Sequence, residues 1–131
     1  MSVRVLDVGQ CGFDGPRIAA LCRQVLHATV EHCDTARDAL KQVSESKYDL
    51  VLVNRVLDLD GASGLDLIRD LLASGDVGAV MLISNYADAQ EAAVALGAKR
   101  GFGKSVLNRP ESIELLKQSL ASGVETESRG E

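Results

Sequence analysis

Short apolar runs rich in β-branched residues alternate with amphipathic helical patterns along the chain, and this alternation constrains the fold more than any other feature. It is typical of repeated βα units, in which helices cover both faces of a parallel sheet. Five units can be counted, with strands predicted over residues 3–8, 28–33, 49–54, 79–84 and 100–103. We therefore predict an α/β, doubly wound five-stranded parallel sheet with helices on both faces.

Capping residues, prolines and glycines mark the predicted helices between these strands. Asp14 is the cap candidate of the first helix, and Asp34 or Thr35 can cap the second. The remaining helices are predicted from Ala62 or Ser63 to Gly75, over 87–96 with Gly97 as the stop, and from Pro110 onwards. Residues 1–121 thus form one predicted domain, and residues 122–131 form a polar C-terminal tail.

Charge and hydropathy exclude several classes of function. The 131 residues carry a net charge of −5, and their 14 lysines and arginines are scattered, which argues against nucleic-acid binding. No apolar run is long enough to span a membrane, and Asp7 interrupts the only segment placed like a signal peptide. We expect a cytoplasmic protein without a membrane segment.

The three cysteines and two histidines do not indicate a metal site. Cys11, Cys22 and Cys33 are an odd number without a Cys-x-x-Cys pair, which favours reduced thiols, and their spacing to His27 and His32 matches no zinc pattern. We predict no metal ligands among them.

Four polar residues follow the apolar strands. Asp7, Asn54, Ser84 and Lys104 stand at or just beyond predicted strand ends. In open parallel sheets, ligands bind outside the carboxyl ends of the strands, where the strand order reverses. These residues are therefore the candidate functional site.

The segments around these residues resemble a known family. They are Val-Leu-Asp7, Asp49-Leu-Val-Leu-Val-Asn54, Leu-Ile-Ser84, Gly97-Ala98 and Phe102-Gly-Lys104. In their order and spacing they resemble the CheY-like receiver domain of bacterial response regulators, which has a flavodoxin-like fold. The resemblance covers roughly the first 121 residues and implies a role in two-component signal transduction or a phosphorelay.

The resemblance also implies residue roles. In the family, two acids after the first strand and an aspartate ending the third bind magnesium, and that aspartate accepts the phosphoryl group. Ser or Thr after the fourth strand and Lys after the fifth contact the phosphoryl oxygens. Asp7 matches the first acid, Val8 replaces the second and Asn54 replaces the phosphoacceptor, whereas Ser84 and Lys104 are retained.

These departures remove the chemistry of phosphoryl transfer. The amide oxygen of Asn54 is a poor nucleophile because its electron density is delocalised onto nitrogen. Magnesium prefers carboxylate oxygens, and only Asp7 keeps one, so we expect weak or absent magnesium binding and no other cofactor. The sequence predicts a phosphorylation-independent pseudo-receiver without catalytic residues, which acts as a protein interaction module rather than an enzyme.

Lys104 needs another role in such a pocket. We expect its ammonium group to hold Asp7 and Asn54 together in a structural clasp. Ser105 follows it where receivers commonly have proline, so the Lys104–Ser105 peptide bond is expected to be trans.

The resemblance assigns partner binding to the face formed by the fourth helix, the fifth strand and the fifth helix. On this face Tyr86, Lys99, Arg100 and Phe102 are the candidate switch and interaction residues, for a protein partner or a homodimer.

Two alternatives remain open. The chain is a phosphorylatable receiver if Asn54 replaces a native aspartate or if Asp58 or Asp60 accepts the phosphoryl group, although loop acids that shape a turn are the simpler interpretation. A cofactor-binding or enzymatic flavodoxin-like protein is the more distant alternative, because Gly9-x-x-Gly12-x-x-Gly15 does not match a dinucleotide loop.

Overall fold

The computed structural model describes the backbone of residues 3–75 and 77–129 and the side chains of 3–75 and 77–120. In this part of the chain, strands and helices alternate throughout. The strands are β1 (Val3–Val8), β2 (Ala28–Cys33), β3 (Leu50–Asn54), β4 (Ala79–Ile83) and β5 (Lys99–Phe102). The α-helices are α1 (Asp14–Leu26), α2 (Ala36–Glu45), α3 (Gly64–Ser74), α4 (Ala87–Leu96) and α5 (Pro110–Arg129), with a 3₁₀ turn at Lys104–Val106.

The five strands form one parallel sheet in the order β2-β1-β3-β4-β5. This confirms the predicted doubly wound α/β fold. The order reverses between β1 and β3, so the crevice expected to hold a ligand lies beyond the carboxyl ends of these two strands.

Each face of the sheet packs against its own helices. Leu6, Val8 and Val51 belong to an apolar cluster with α2, α3 and α4, whereas Val5 and Leu52 belong to a second cluster with α1 and α5. Because successive strand residues point to opposite faces, this division places Asp7 on the α1 side and Val8 on the other.

Helix ends follow the predicted chemistry with one exception. Thr35 and Ser63 accept hydrogen bonds from backbone amides in the first turns of α2 and α3, and Gly75 and Gly97 end helices in the left-handed conformation. The predicted cap at Asp14 is wrong. Phe13 occupies the cap position without a side-chain hydrogen bond, which leaves Asp14 as the first helical residue.

The cysteines are free thiols, as predicted from their number. Burial raises the pKa of both Cys22 and Cys33 to about 12, so these thiols stay protonated and pack as small apolar groups. The Lys104–Ser105 bond is trans, since no cis peptide bond occurs among the described residues.

The C-terminal helix α5 continues to Arg129, through most of the segment predicted as a polar tail. The side chains of residues 121–129 and the whole of residues 130–131 lie outside the described part of the chain. The boundary between domain and tail therefore stays a prediction.

Candidate functional site

The predicted site residues divide between two clefts at the carboxyl edge of the sheet. Asn54, Ser84, Tyr86 and Lys104 line a cleft of about 260 Å³, here called the central cleft. Asp7 lines a separate cleft of about 490 Å³ between β1, β2 and α1, here called the acidic cleft. Val8 lines neither cleft.

The amide of Asn54 has a fixed orientation. Its Nδ2 donates to the carbonyl oxygen of Gly9 at 3.1 Å and to that of Val56 at 2.7 Å. Carbonyl oxygens accept but cannot donate, so the network needs an N–H group at this position. A carboxylate at position 54 would set a charged oxygen against two carbonyl oxygens.

The short loop after Asn54 is fastened to the loop after β1. The backbone amide of Asp58 donates to Gly9 O at 2.9 Å, and Leu57 N donates to Ala62 O at 2.9 Å. Asp60 Oδ1 accepts from Ala62 N at 3.0 Å, as the turn-shaping interpretation expects. Asp58 lines the acidic cleft, and neither of these two acids lines the central cleft.

Val8 is fully buried in the cluster on the α2 side of the sheet. This cluster includes apolar residues of β3 and α3, and Val8 does not line the central cleft. The position that matches the family's second acid therefore belongs to the apolar core.

Asp7 is 1% exposed, and its Oδ1 has no hydrogen-bond partner. Burial raises its pKa to about 7, against the opposing effect of nearby His32, whose Nδ1 lies 3.7 Å from Asp7 Oδ2. Gln10 also lowers this pKa, although no atom of its amide meets hydrogen-bond geometry. Ionising Asp7 near neutral pH thus opposes folding.

Lys104 pairs with a residue that the sequence did not suggest. Its Nζ lies 3.2 Å from Asp14 Oδ2, and the amide of Asn54 bonds to its own loop, so the predicted clasp on Asp7 and Asn54 is wrong. Burial would raise the pKa of Asp14, but hydrogen bonds from Lys104 and Cys11 and the charges of Lys104 and Arg17 hold it below its ordinary value. Lys104 therefore ties the loop after β5 to the first turn of α1.

We expect Lys104→Met to raise the pKa of the Asp14 carboxyl group and to raise that of Asp7 by less, because Lys104 contacts Asp14 directly and acts on Asp7 only through its charge. The free energy of unfolding should change by only about 1 kcal/mol or less, because both partners keep contact with solvent. Carboxyl titration by NMR measures both pKa values. The matched control is Arg17→Met, since Arg17 contacts the other oxygen of Asp14 at 3.2 Å. A larger pKa shift at Asp7 than at Asp14 would instead support the predicted contact of Lys104 with Asp7.

Side-chain bonds hold the loop between β4 and α4 in place. Asn85 Oδ1 accepts from the Oγ and backbone N of Ser105 at 2.9 and 3.3 Å, and the Arg55 guanidinium lies 4.6 Å from the centroid of the Tyr86 ring. A proline at position 105 could make neither of the bonds to Asn85.

Buried Gln90 fastens α4 to the sheet. Its Nε2 donates to Leu82 O and Ser84 O at 2.9 and 3.1 Å, and its Oε1 accepts from Gly101 N at 2.9 Å. Gln90 thus fills the irregularity in the pairing of β4 with β5.

The predicted interaction residues differ in exposure. Tyr86 and Arg100 are exposed, Lys99 is half-buried, and Phe102 is buried in the cluster with α1 and α5. Phe102 is therefore a core residue in this structure, and the switch and partner-binding roles of all four residues stay predictions.

A doubly wound sheet with polar residues at the ends of β1, β3 and β4 and a lysine after β5 defines a receiver-type protein. The sequence profile of the response regulator receiver domain matches residues 14–121. The chain belongs to this family, and it is a receiver domain of two-component signal transduction. The matched range begins after β1, so it does not include Asp7 and Val8.

Solved structures share the fold at low sequence identity. NtrX from Brucella abortus aligns with a TM-score of 0.80 and 16% identity over 99% of this chain and 29% of its own. CheY4 of Vibrio cholerae aligns with a TM-score of 0.68 and 14% identity, over 94% of this chain and 99% of its own. A putative response regulator from Chloroflexus aurantiacus aligns with a TM-score of 0.78 and 17% identity, over 92% of this chain and 99% of its own. This chain thus spans less than a third of the NtrX chain. A search of curated protein sequences finds no match.

Receiver domains interact with partner proteins or form dimers. Among the described residues, no helix combines the length and apolar character that crossing a membrane requires.

Proposed function

We propose that this receiver domain works without phosphorylation and transmits its signal by binding a protein partner. The observation that carries the proposal is the orientation of the Asn54 amide, with its nitrogen bonded to two carbonyl oxygens. The loops around position 54 are therefore built for an amide, which favours a native asparagine over a replaced aspartate.

The charge of the central cleft supports the same function. Its lining contains the cations Arg55 and Lys104 and no aspartate or glutamate. Phosphoryl transfer to a receiver needs a carboxylate nucleophile and a metal ion that neutralises developing charge. Neither the nucleophile nor carboxylate ligands for magnesium stand where the retained Ser84 and Lys104 would meet the phosphoryl group.

We infer that the residues at the positions of the family's magnesium site are poorly suited to this ion. No described group of three or more His, Cys, Asp or Glu side chains is placed to hold a metal ion, and Val8 is part of the core. Among the positions that match the family's magnesium ligands, Asp7 alone keeps a carboxylate, and burial raises its pKa to about 7. We expect weak or absent magnesium binding.

The bonds around the central cleft support a single conformation. Asn85 accepts a hydrogen bond from Ser105, and the Arg55 guanidinium contacts the Tyr86 ring. Gln90 forms hydrogen bonds that join α4 to β4 and β5. A partner would therefore bind a surface that is already formed.

We expect no phosphoryl group on the protein after incubation with a small phosphodonor and magnesium. Intact-mass spectrometry checks this, with a phosphorylatable receiver labelled in parallel as a positive control. Addition of one phosphate that disappears in Asp58→Asn or Asp60→Asn would contradict the proposal and establish a loop acid as the phosphoacceptor.

A further inference from the structure

The acidic cleft carries an excess of negative charge. Asp7, Asp34 and Asp58 line it, whereas Arg23 and His32 are its basic residues. His32 is already engaged with two of the acids, since Nε2 lies 2.8 Å from Asp34 Oδ1 and Nδ1 lies 3.7 Å from Asp7 Oδ2. Asp58 has no ion-pair partner within 4 Å among the described residues. The cleft is therefore suited to a cation.

Two buried side chains that line this cleft have polar atoms without a hydrogen-bond partner. Gln10 is 2% exposed, and neither its Nε2 nor its Oε1 has a partner; Asp7 Oδ1 also has none. A buried polar atom without a partner costs about 1–3 kcal/mol. A ligand whose N–H groups reached Asp7 and the oxygen of Gln10 would remove part of this cost. The Oε1 atom of Gln10 cannot donate to Asp7, so it indicates a ligand independently of the carboxylates.

The spacing of the carboxylates argues against a metal ion as this ligand. Among the described residues, no three potential ligands converge on one point. An extended cation with several donors suits separated carboxylates better than a single ion does. A guanidinium group has five N–H donors in a planar fork and is weakly hydrated, which suits a partly buried acidic site.

Exposed apolar side chains on two neighbouring loops border the cleft. Phe13, 72% exposed, directly follows the lining residue Gly12, and Leu59, 67% exposed, directly follows Asp58. The bond from Asp58 N to Gly9 O holds these two loops together. A free small cation would leave both apolar side chains in water, whereas a protein segment could cover them.

We propose that the acidic cleft receives an arginine side chain of a partner protein, whose neighbouring apolar residues cover Phe13 and Leu59. This inference rests on the proposed partner-binding function and names the chemistry of the partner. It does not depend on the absence of phosphorylation, because the phosphodonor experiment tests that separately.

The test is a titration of the full chain with acetyl-Leu-Arg-Leu-amide, followed by amide chemical shifts in NMR spectra. We expect shifts at Cys11, Gly12, His32 and Asp58. The peptide with citrulline in place of arginine should bind at least about ten-fold more weakly, because citrulline keeps the shape and loses the charge, and ten-fold is equivalent to about 1.4 kcal/mol.

Variants separate the charge from the apolar contact. Asp58→Asn should raise the Kd of the arginine peptide about three- to ten-fold. The control is Asp88→Asn on α4, which should leave this Kd unchanged. Leu59→Ser should weaken binding of the peptide but not binding of acetylarginine amide. The control is Val94→Ser, at another exposed apolar residue, which should change neither affinity.

Three outcomes would overturn the inference. They are the absence of shifts at the cleft with millimolar peptide, equal binding of the arginine and citrulline peptides, and equal affinity for the peptide and acetylarginine amide. The last result would reduce the cleft to a site for free small cations. None of the three would alter the phosphodonor result.

Discussion

Asp7→Asn should make the protein more stable above about pH 7, by roughly 2–4 kcal/mol. Burial raises the pKa of the Asp7 carboxyl group from 3.8 to about 7, so ionised Asp7 opposes folding. Between these two values the folded state binds more protons than the unfolded state, and stability therefore falls as pH rises. Asparagine cannot ionise, so it removes this loss while keeping a similar shape.

Chemical denaturation of both proteins at several pH values measures the effect. The advantage of the variant should be small near pH 4, increase towards pH 7 and stay constant above it. Exposed Asp70→Asn is the control, and its effect should not follow this pH dependence. Equal or lower stability of Asp7→Asn at about pH 8 would show that folding does not raise the pKa of Asp7.

The fold was predictable because its signals are local in sequence. Each strand is an apolar run, and capping residues such as Thr35 and Ser63 mark the helices between them. The placement of Val8 was not predictable in the same way. β1 is buried on both faces, so its apolar pattern does not show which side chain faces which layer.

The contacts between the site residues were harder to predict from the sequence than the residues themselves. Asn54, Ser84 and Lys104 line one cleft because the carboxyl ends of parallel strands meet at one edge. The pairing of Lys104 with Asp14 depends on the path of two loops that are distant in sequence. Arg55 with Tyr86 and Asn85 with Ser105 are further pairs of this kind. Residue type gives no signal for such contacts, because several partners for each side chain are within reach.

The position of Val8 changes what restoring the family's acids should do. By residue type alone, Val8→Asp combined with Asn54→Asp would be expected to recover magnesium binding and phosphorylation better than either change alone. The structure places Val8 in the apolar cluster, fully buried, where an aspartate would have no partner. An unpaired buried charge is among the most destabilising changes known for a core position.

We therefore expect Val8→Asp to lower the free energy of unfolding by about 3–5 kcal/mol. Asn54→Asp should lower it by about 1–3 kcal/mol, because its carboxylate would face Gly9 O and Val56 O in place of an N–H donor. The decrease in the free energy of unfolding caused by Asn54→Asp should be smaller near pH 4, because a protonated carboxyl group can donate a hydrogen bond to one of these carbonyl oxygens. Chemical denaturation with and without magnesium measures these effects, with Val8→Thr and Asn54→Ala as uncharged controls.

Phosphodonor labelling of the same variants separates a chemical cause from a structural one. If the double variant folds, becomes more stable with magnesium and accepts one phosphate, position 8 is a metal-ligand position and its core placement is wrong. If Asn54→Asp alone is as stable as the parent and accepts phosphate, the loops around position 54 accommodate a carboxylate, and the amide network does not distinguish this chain from a phosphorylatable receiver. Destabilisation in both variants without labelling is the result that we expect, because Val8 is packed in an apolar cluster and the Asn54 amide donates to two carbonyl oxygens.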